Sequence, residues 1–198
     1  INESSSVEYE GSQFPPEGTF EAYVNIKEYS ENHPWDEIIF DSNGRANYGN
    51  QTHIRLGLDT DNHLVFHFWG PTTDKTDSHR IDSNTPIETN KWYAVGASWG
   101  SEGIHLYVNG KEVASDISVT DTFDNEPVYL GNCPDDDWAN QYYGDGDNYL
   151  NSMIGYIDSV RTSDSQQDIT YTDVDQPKSQ IKTLGISNTE VQNEADLA

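Results

Sequence analysis

The strongest constraint on this chain is a hairpin written into residues 104–116. Ile104, Leu106 and Val108 alternate with His105, Tyr107 and Asn109, and Gly110 follows directly. A period of two puts one set of side chains on each face of a strand. Asn-Gly is the preferred pair for a two-residue type I′ turn, because both central residues need φ > 0. Such a turn also fixes the partner strand. It sets Val108 opposite Lys111, Tyr107 opposite Glu112 and Leu106 opposite Val113, so that Leu106 and Val113 share the core face. Upstream, Trp92–Trp99 reads as a neighbouring strand with Tyr93, Val95, Ala97 and Trp99 on one side. Residues 100–103 form the short loop between them.

The same pattern recurs along the chain. In Thr19–Ile26, Phe20, Ala22, Val24 and Ile26 alternate with Glu21, Tyr23 and Asn25. Ile54, Leu56 and Leu58 alternate with polar or small residues, and a turn over Asp59–Asn62 leads to Leu64, Phe66 and Phe68 as a hairpin partner. Glu37–Phe40, Val128–Gly131 and Met153–Val160 read as further strands. Clusters of Gly, Asn, Asp and Pro separate them, and no helical period of any length competes. Many short strands with turn chemistry between them imply an all-β fold, an antiparallel two-sheet β-sandwich. After Val160 the texture changes. Residues 163–198 hold one aromatic, Tyr171, among Ser, Thr, Gln and Asp. This segment is expected to be an acidic C-terminal extension or linker. Within it, Ile169–Val174 and Ile181–Ile186 are candidates for one added edge strand, and 188–198 looks like a linker or frayed end.

Charge narrows the function classes. The chain carries 35 acidic against 10 basic residues, a net charge of -25. Nucleic acid and anionic membrane surfaces are poor partners for such a chain, since both are held by Lys and Arg. No apolar run approaches the roughly 20 residues that span a bilayer, so membrane insertion is not expected. Cys133 is the only cysteine, so no intrachain disulfide staples the fold. No signal peptide is visible and the chain begins at Ile1, which reads as a mature or excised piece of a longer protein with other domains. The acidity fits a solvated surface, a halophilic protein whose carboxylates are screened by salt, or an extracellular module loaded with Ca²⁺. Two triplets, Asn2-Glu3-Ser4 and Asn50-Gln51-Thr52, fit the glycosylation acceptor pattern.

Four motifs in order sharpen the fold. Trp92-Tyr93-Ala94-Val95, Leu106-Tyr107-Val108-Asn109-Gly110, Leu130-Gly131 and Gly155-Tyr156-Ile157-Asp158-Ser159-Val160-Arg161 resemble the laminin G-like, concanavalin A-like domains, a family that includes the pentraxins. Thr19–Ile26 is similar to the family's early strand, with Tyr23 where Trp is common, and Tyr9-Glu10-Gly11 to its first strand. The resemblance covers about residues 6–162. It implies a jelly roll of about a dozen strands in which the Asn109-Gly110 hairpin, Trp92 and Val95 are structural. It also implies a binding module more often than an enzyme.

Candidate chemistry gathers in one loop. Residues 134–149 hold five Asp, three Tyr and one Trp. Oxygen-rich loops ligate Ca²⁺, which takes six to eight oxygens at roughly 2.3–2.6 Å. Aromatic faces stack on the apolar face of a sugar while amides and carboxylates bind its hydroxyls. Asp135, Asp137, Asp145 and Asp147 are therefore candidate Ca²⁺ ligands, and Trp138, Asn140, Tyr142, Tyr143 and Tyr149 candidate ligand contacts. Trp35, in the Pro34 loop, joins the second set. The resemblance places a pentraxin calcium loop between the corresponding strands. It also offers Asp158 as a ligand for a structural Ca²⁺, with carbonyls near Glu10-Gly11.

No catalytic residues are assigned. The E-x-D-x-x-E carboxylate pattern of hydrolases on this fold is absent, and Glu21 stands alone on its strand. His53, His63, His67, His79 and His105 are scattered. The expected function is a non-catalytic, extracellular or surface-displayed module, on a cell or virion, that binds carbohydrate or a cell-surface ligand through rim loops, with Ca²⁺ as its cofactor. Alternatives are a protein-binding adhesion module and a glycan-degrading enzyme on the same fold.

Overall fold

A computed structural model gives the architecture and describes residues 7–9, 15–29, 37–42, 53–69, 78–120, 128–131 and 153–169. Among them are eleven strands: β1 (Val7–Tyr9), β2 (Gly18–Glu28), β3 (Glu37–Asp41), β4 (His53–Leu58), β5 (His63–Trp69), β6 (Ser78–Pro86), β7 (Trp92–Gly100), β8 (Gly103–Val108), β9 (Lys111–Asp116), β10 (Val128–Leu130) and β11 (Ile154–Ser163). They form a six-stranded sheet in the order β1-β10-β3-β4-β5-β6 and a five-stranded sheet in the order β11-β2-β7-β8-β9. Every pairing is antiparallel. The expected two-sheet sandwich is the observed fold.

The core lies between the sheets. Phe20, Ala22, Val24 and Ile26 of β2, with Tyr93, Val95, Ala97 and Trp99 of β7, face Ile54, Leu56, Leu58, Leu64, Phe66 and Phe68 of the other sheet. These are the alternating sets read from the sequence. Phe20 and Phe40 bring the layers together, with ring centroids 4.4 Å apart and planes 20° from parallel. At about 25 cal/mol per Å² of apolar area removed from water, this cluster supplies most of what favours folding.

The hairpin turn is as expected, with Asn109 at φ 52° and Gly110 at φ 72°. Val108 pairs with Lys111 and Tyr107 with Glu112, but Leu106 lies opposite Ala114 rather than Val113. One extra residue enters β9 as a β-bulge, which lets consecutive side chains lean to the same side. Val113 and Ala114 both pack against the core. Trp92 takes the face opposite the inward set of its strand. Residues three apart on a strand point to opposite faces, so Val95 enters the core and Trp92 stands on the outer face of its sheet, half-buried.

After β11 the chain crosses the outer face of the five-stranded sheet. Thr19 Oγ1 donates to Ser165 O and accepts from Gln167 N, both at 2.9 Å. Gln166 Nε2 donates to Gly103 O, and its Oε1 accepts from Glu102 N. Tyr107 Oη donates to Asp168 Oδ1 at 3.4 Å. Ile169 is buried over Gly96, where a Cβ would come within 2.3 Å of Ile169 Cδ1 and 2.6 Å of Phe20 O. Only glycine admits that approach.

Candidate functional site

The outer face of the six-stranded sheet carries one polar row. Register sets Tyr129 of β10 opposite Asp41 of β3, Asp41 opposite Arg55 of β4, Arg55 opposite His67 of β5, and His67 opposite Arg80 of β6. The strands' core residues fix this arrangement. Ile54 and Leu56 point inward, so Arg55 points out, and Phe66 and Phe68 do the same for His67.

The row grades from buried to open. Asp41 is fully buried and Tyr129 nearly so. Arg55 Nε donates to Asp41 Oδ2 at 2.5 Å, with the Arg55 side chain 11% exposed. At the β6 end Arg80 is 37% exposed and held twice: Nη2 reaches Asp59 Oδ2 at 2.7 Å and Nε reaches Asp82 Oδ1 at 2.5 Å. Asp59 is itself fixed by the β4–β5 turn, accepting from Asp61 N and His63 N at 3.0 and 2.9 Å. Guanidinium forks locked to carboxylates present donors and acceptors side by side in fixed positions. That arrangement suits hydroxyl groups, which need both.

Sequence reasoning did not single out Asp41, Arg55, Asp59, Arg80, Asp82 or Tyr129 as a site. The signal was present, since each strand's apolar alternation says which polar residues share the outer face. The register across five strands was not. Of the histidines, His67 joins the row, His63 lies 3.7 Å from Asp59, and His79 lies 4.0 Å from Asp116 of the other sheet. His105, on β8, contacts Glu112 at 3.0 Å. These four do not converge on one point, and the side chain of His53 lies outside the described residues.

Asp158 sits on β11 opposite Tyr23, where Oδ1 accepts from Ser159 Oγ at 3.3 Å. Ser159 has φ 53° in an irregularity between Asp158 and Arg161. Among the described residues no three His, Cys, Asp or Glu side chains gather to hold a metal. Trp35, Asp135, Asp137, Trp138, Asn140, Tyr142, Tyr143, Asp145, Asp147 and Tyr149 lie outside the described residues, as do Glu10 and Gly11.

On the opposite sheet, burial raises the pKa of Glu21 above its ordinary 4.5, against a lowering pull from Arg161. The folded state therefore holds this proton more tightly than the unfolded chain. Stability contributed by neutral Glu21 is complete below pH 4.5 and is lost as pH rises through the raised value. Glu21→Gln is expected to melt higher than the parent protein at pH 7, with the gap closing near pH 4. Thermal melts of both across that range check this, with the exposed Glu102→Gln as the control for net charge.

Comparison with known proteins accords with this architecture. The profile of the concanavalin A-like lectin/glucanases superfamily matches residues 3–167, and the chain belongs to that family. No curated protein sequence matches it. Among solved structures it is similar to a heptameric SAP-like pentraxin from Limulus polyphemus, with TM-score 0.57 and 16% identity over 84% of this chain and 73% of that one. It is similar to domain 4 of AbnA, an extracellular arabinanase from Geobacillus stearothermophilus, in complex with arabinotriose, with TM-score 0.57 and 16% identity over 88% and 74%. It is also similar to the CBM40 of a Ruminococcus gnavus IT-sialidase bound to α2,3-sialyllactose, with TM-score 0.53 and 14% identity over 90% and 97%. At these identities the likeness is one of fold. No helix among the described residues is long and apolar enough to cross a membrane.

Proposed function

We propose that this chain is a non-catalytic carbohydrate-binding domain, carried by a longer protein outside the cell or on a cell or virion surface. The observation that carries the reading is the row Asp41–Arg55–His67–Arg80, a line of paired donors and acceptors across one sheet of a lectin-type sandwich. The same features weigh against hydrolysis. Glycoside hydrolysis needs two carboxyl groups flanking the scissile bond. On this row the described carboxylates are each held by a guanidinium, Asp41 by Arg55 and Asp59 and Asp82 by Arg80. The solved carbohydrate complexes with the same fold support the ligand class, as modules of larger proteins in the arabinanase and sialidase cases. On a glycan array the protein is expected to bind, without releasing reducing ends from its ligand. Arg80→Ala is expected to weaken binding about tenfold, since its donors lie at the open end of the row. Absence of binding to any glycan would overturn the reading.

Calcium belongs to the same proposal. Asp135, Asp137, Asp145 and Asp147 in one loop, and Asp158 at a separate structural site, supply the oxygen chemistry that Ca²⁺ prefers. In dilute buffer, Ca²⁺ at a hundred times its Kd is expected to stabilise the fold by about 2.7 kcal/mol, reversed by EDTA. Melting in Ca²⁺ and in EDTA, each in dilute buffer and in multimolar NaCl, decides it. Stabilisation by salt alone would assign the acidity to a halophilic surface and remove calcium.

A further inference from the structure

A second aromatic feature lies on the outer face of the five-stranded sheet, away from the polar row. Asn25 of β2 is flanked in register by Trp92 of β7 on one side and Tyr156 of β11 on the other. The two rings lean together over it, with centroids 6.4 Å apart and planes 31° from parallel. Tyr156 is 55% exposed, among the largest apolar exposures of the described residues. Asn25 is 4% exposed, and its Oδ1 has no hydrogen-bond partner. Lys27, next along the same face, places Nζ 5.3 Å from the Tyr156 ring centroid and 3.2 Å from Asn90 Oδ1. No ion pair ties Lys27 among the described residues, in a chain where acids outnumber bases by 35 to 10.

A core explanation fails for these rings, because both point away from the sandwich interior. A protein-docking explanation needs exposed aliphatic surface around the aromatics, and here the same-face neighbours are Asn25, Lys27 and Asp158, with Tyr23 and Ala94 further along the face both buried. Paired aromatic faces with one ammonium donor at their edge match a pyranose instead. Its C–H face stacks on the rings while its hydroxyls take the polar groups. A net charge of -25 repels anionic sugars and leaves neutral ones indifferent. We infer that Trp92, Tyr156 and Lys27 form a second glycan subsite, specific for a neutral saccharide, on the sheet opposite the polar row. The inference rests on the carbohydrate-binding reading for its ligand class and on independent residues for its place. Gly155 adjoins the platform: a Cβ there would fall 2.3 Å from Asn25 O, so glycine lets β11 close on β2 and bring Tyr156 over the amide.

The test is a glycan array of neutral and anionic oligosaccharides, followed by calorimetric titration with the strongest neutral tetrasaccharide. The variants are Trp92→Ala, Tyr156→Ala, Lys27→Gln and, for the other sheet, Arg80→Ala. Trp92→Ala and Tyr156→Ala are each expected to lower affinity for the neutral ligand about tenfold. The parent affinity is expected to stay level between about 0.1 and 2 M NaCl, as a neutral contact requires. Tyr156 is exposed on an edge strand, so its variant remains informative if the Trp92 variant folds poorly. Neutral binding that Arg80→Ala weakens and both aromatic variants leave intact would overturn this site and spare the carbohydrate reading. Affinity only for anionic glycans, falling as salt rises, would overturn the neutral specificity. Absence of binding to every glycan would end both.

Discussion

Replacement of Asp41 by Ala is expected to lower unfolding stability by about 3–5 kcal/mol, among the largest effects of any single polar substitution in the chain. The carboxylate is fully buried, and the guanidinium it accepts from at 2.5 Å is 11% exposed. Deleting one member leaves the other charge buried without the partner it holds at 2.5 Å. Stabilities of Asp41→Ala, Arg55→Ala and the double variant, from urea melts, give the coupling between them. The double variant is expected to be less destabilised than the sum of the singles, since it removes both charges. Urea is the right denaturant, because guanidinium chloride is itself a salt and would screen a surface of net charge -25. A loss under 1 kcal/mol for Asp41→Ala would mean that water or a neighbouring group takes over the guanidinium, and that the pair does not organise the row.

That pair also shows what the sequence could reveal. Half-buried strands announce themselves, because one face must be apolar and the period is two. Hence β2, β4, β5, β7 and β8 were legible residue by residue, down to which of Tyr93, Val95, Ala97 and Trp99 point inward. Strand β6 was not. In Ser78–Pro86, Ile81 is the one buried aliphatic, so a polar edge strand left no alternation to read. Without β6 there is no place for Arg80, and the row has no open end. Asp41 was hidden for a different reason. It follows the apolar run Ile38-Ile39-Phe40 and looks like the first residue of a turn, whereas it is the last residue of a buried strand. Trp92 lies outside the inward set Tyr93, Val95, Ala97 and Trp99, so alternation already turned it outward; its meeting with Tyr156 across β2 depends on register, which the pattern alone does not give. The rim loops were chosen for their composition, which names chemistry but not position.

Replacement of Trp99 by Ala is expected to cost about 3–5 kcal/mol. The ring is fully buried at the end of β7 and lies 6.4 Å from Phe66 of the opposite sheet, so it spans the two layers. Its Nε1 donates to Pro15 O at 3.3 Å, which ties the entry to β2 against the core. A Cβ built on Gly18 would come within 2.7 Å of Trp99 Cζ2 and 2.8 Å of Ser163 O, so the backbone of β2 is shaped around this ring and around β11 together. Two variants separate these contributions. Trp99→Phe keeps an aromatic contact with Phe66 but loses the indole donor and some volume, and is expected to cost less than Trp99→Ala. Gly18→Ala adds volume on the same contact, and is expected to destabilise by overpacking, about 1–3 kcal/mol. If the ring acts only by filling space, Trp99→Ala in the Gly18→Ala background should recover part of the loss, because the added methyl group enters the space vacated. Urea melts at fixed NaCl, read by m-value as well as midpoint, check this. An unchanged m-value with a lowered midpoint places the effect in the folded sandwich. A changed m-value would place it in residual structure of the unfolded chain, and the layer-spanning role of Trp99 would fall.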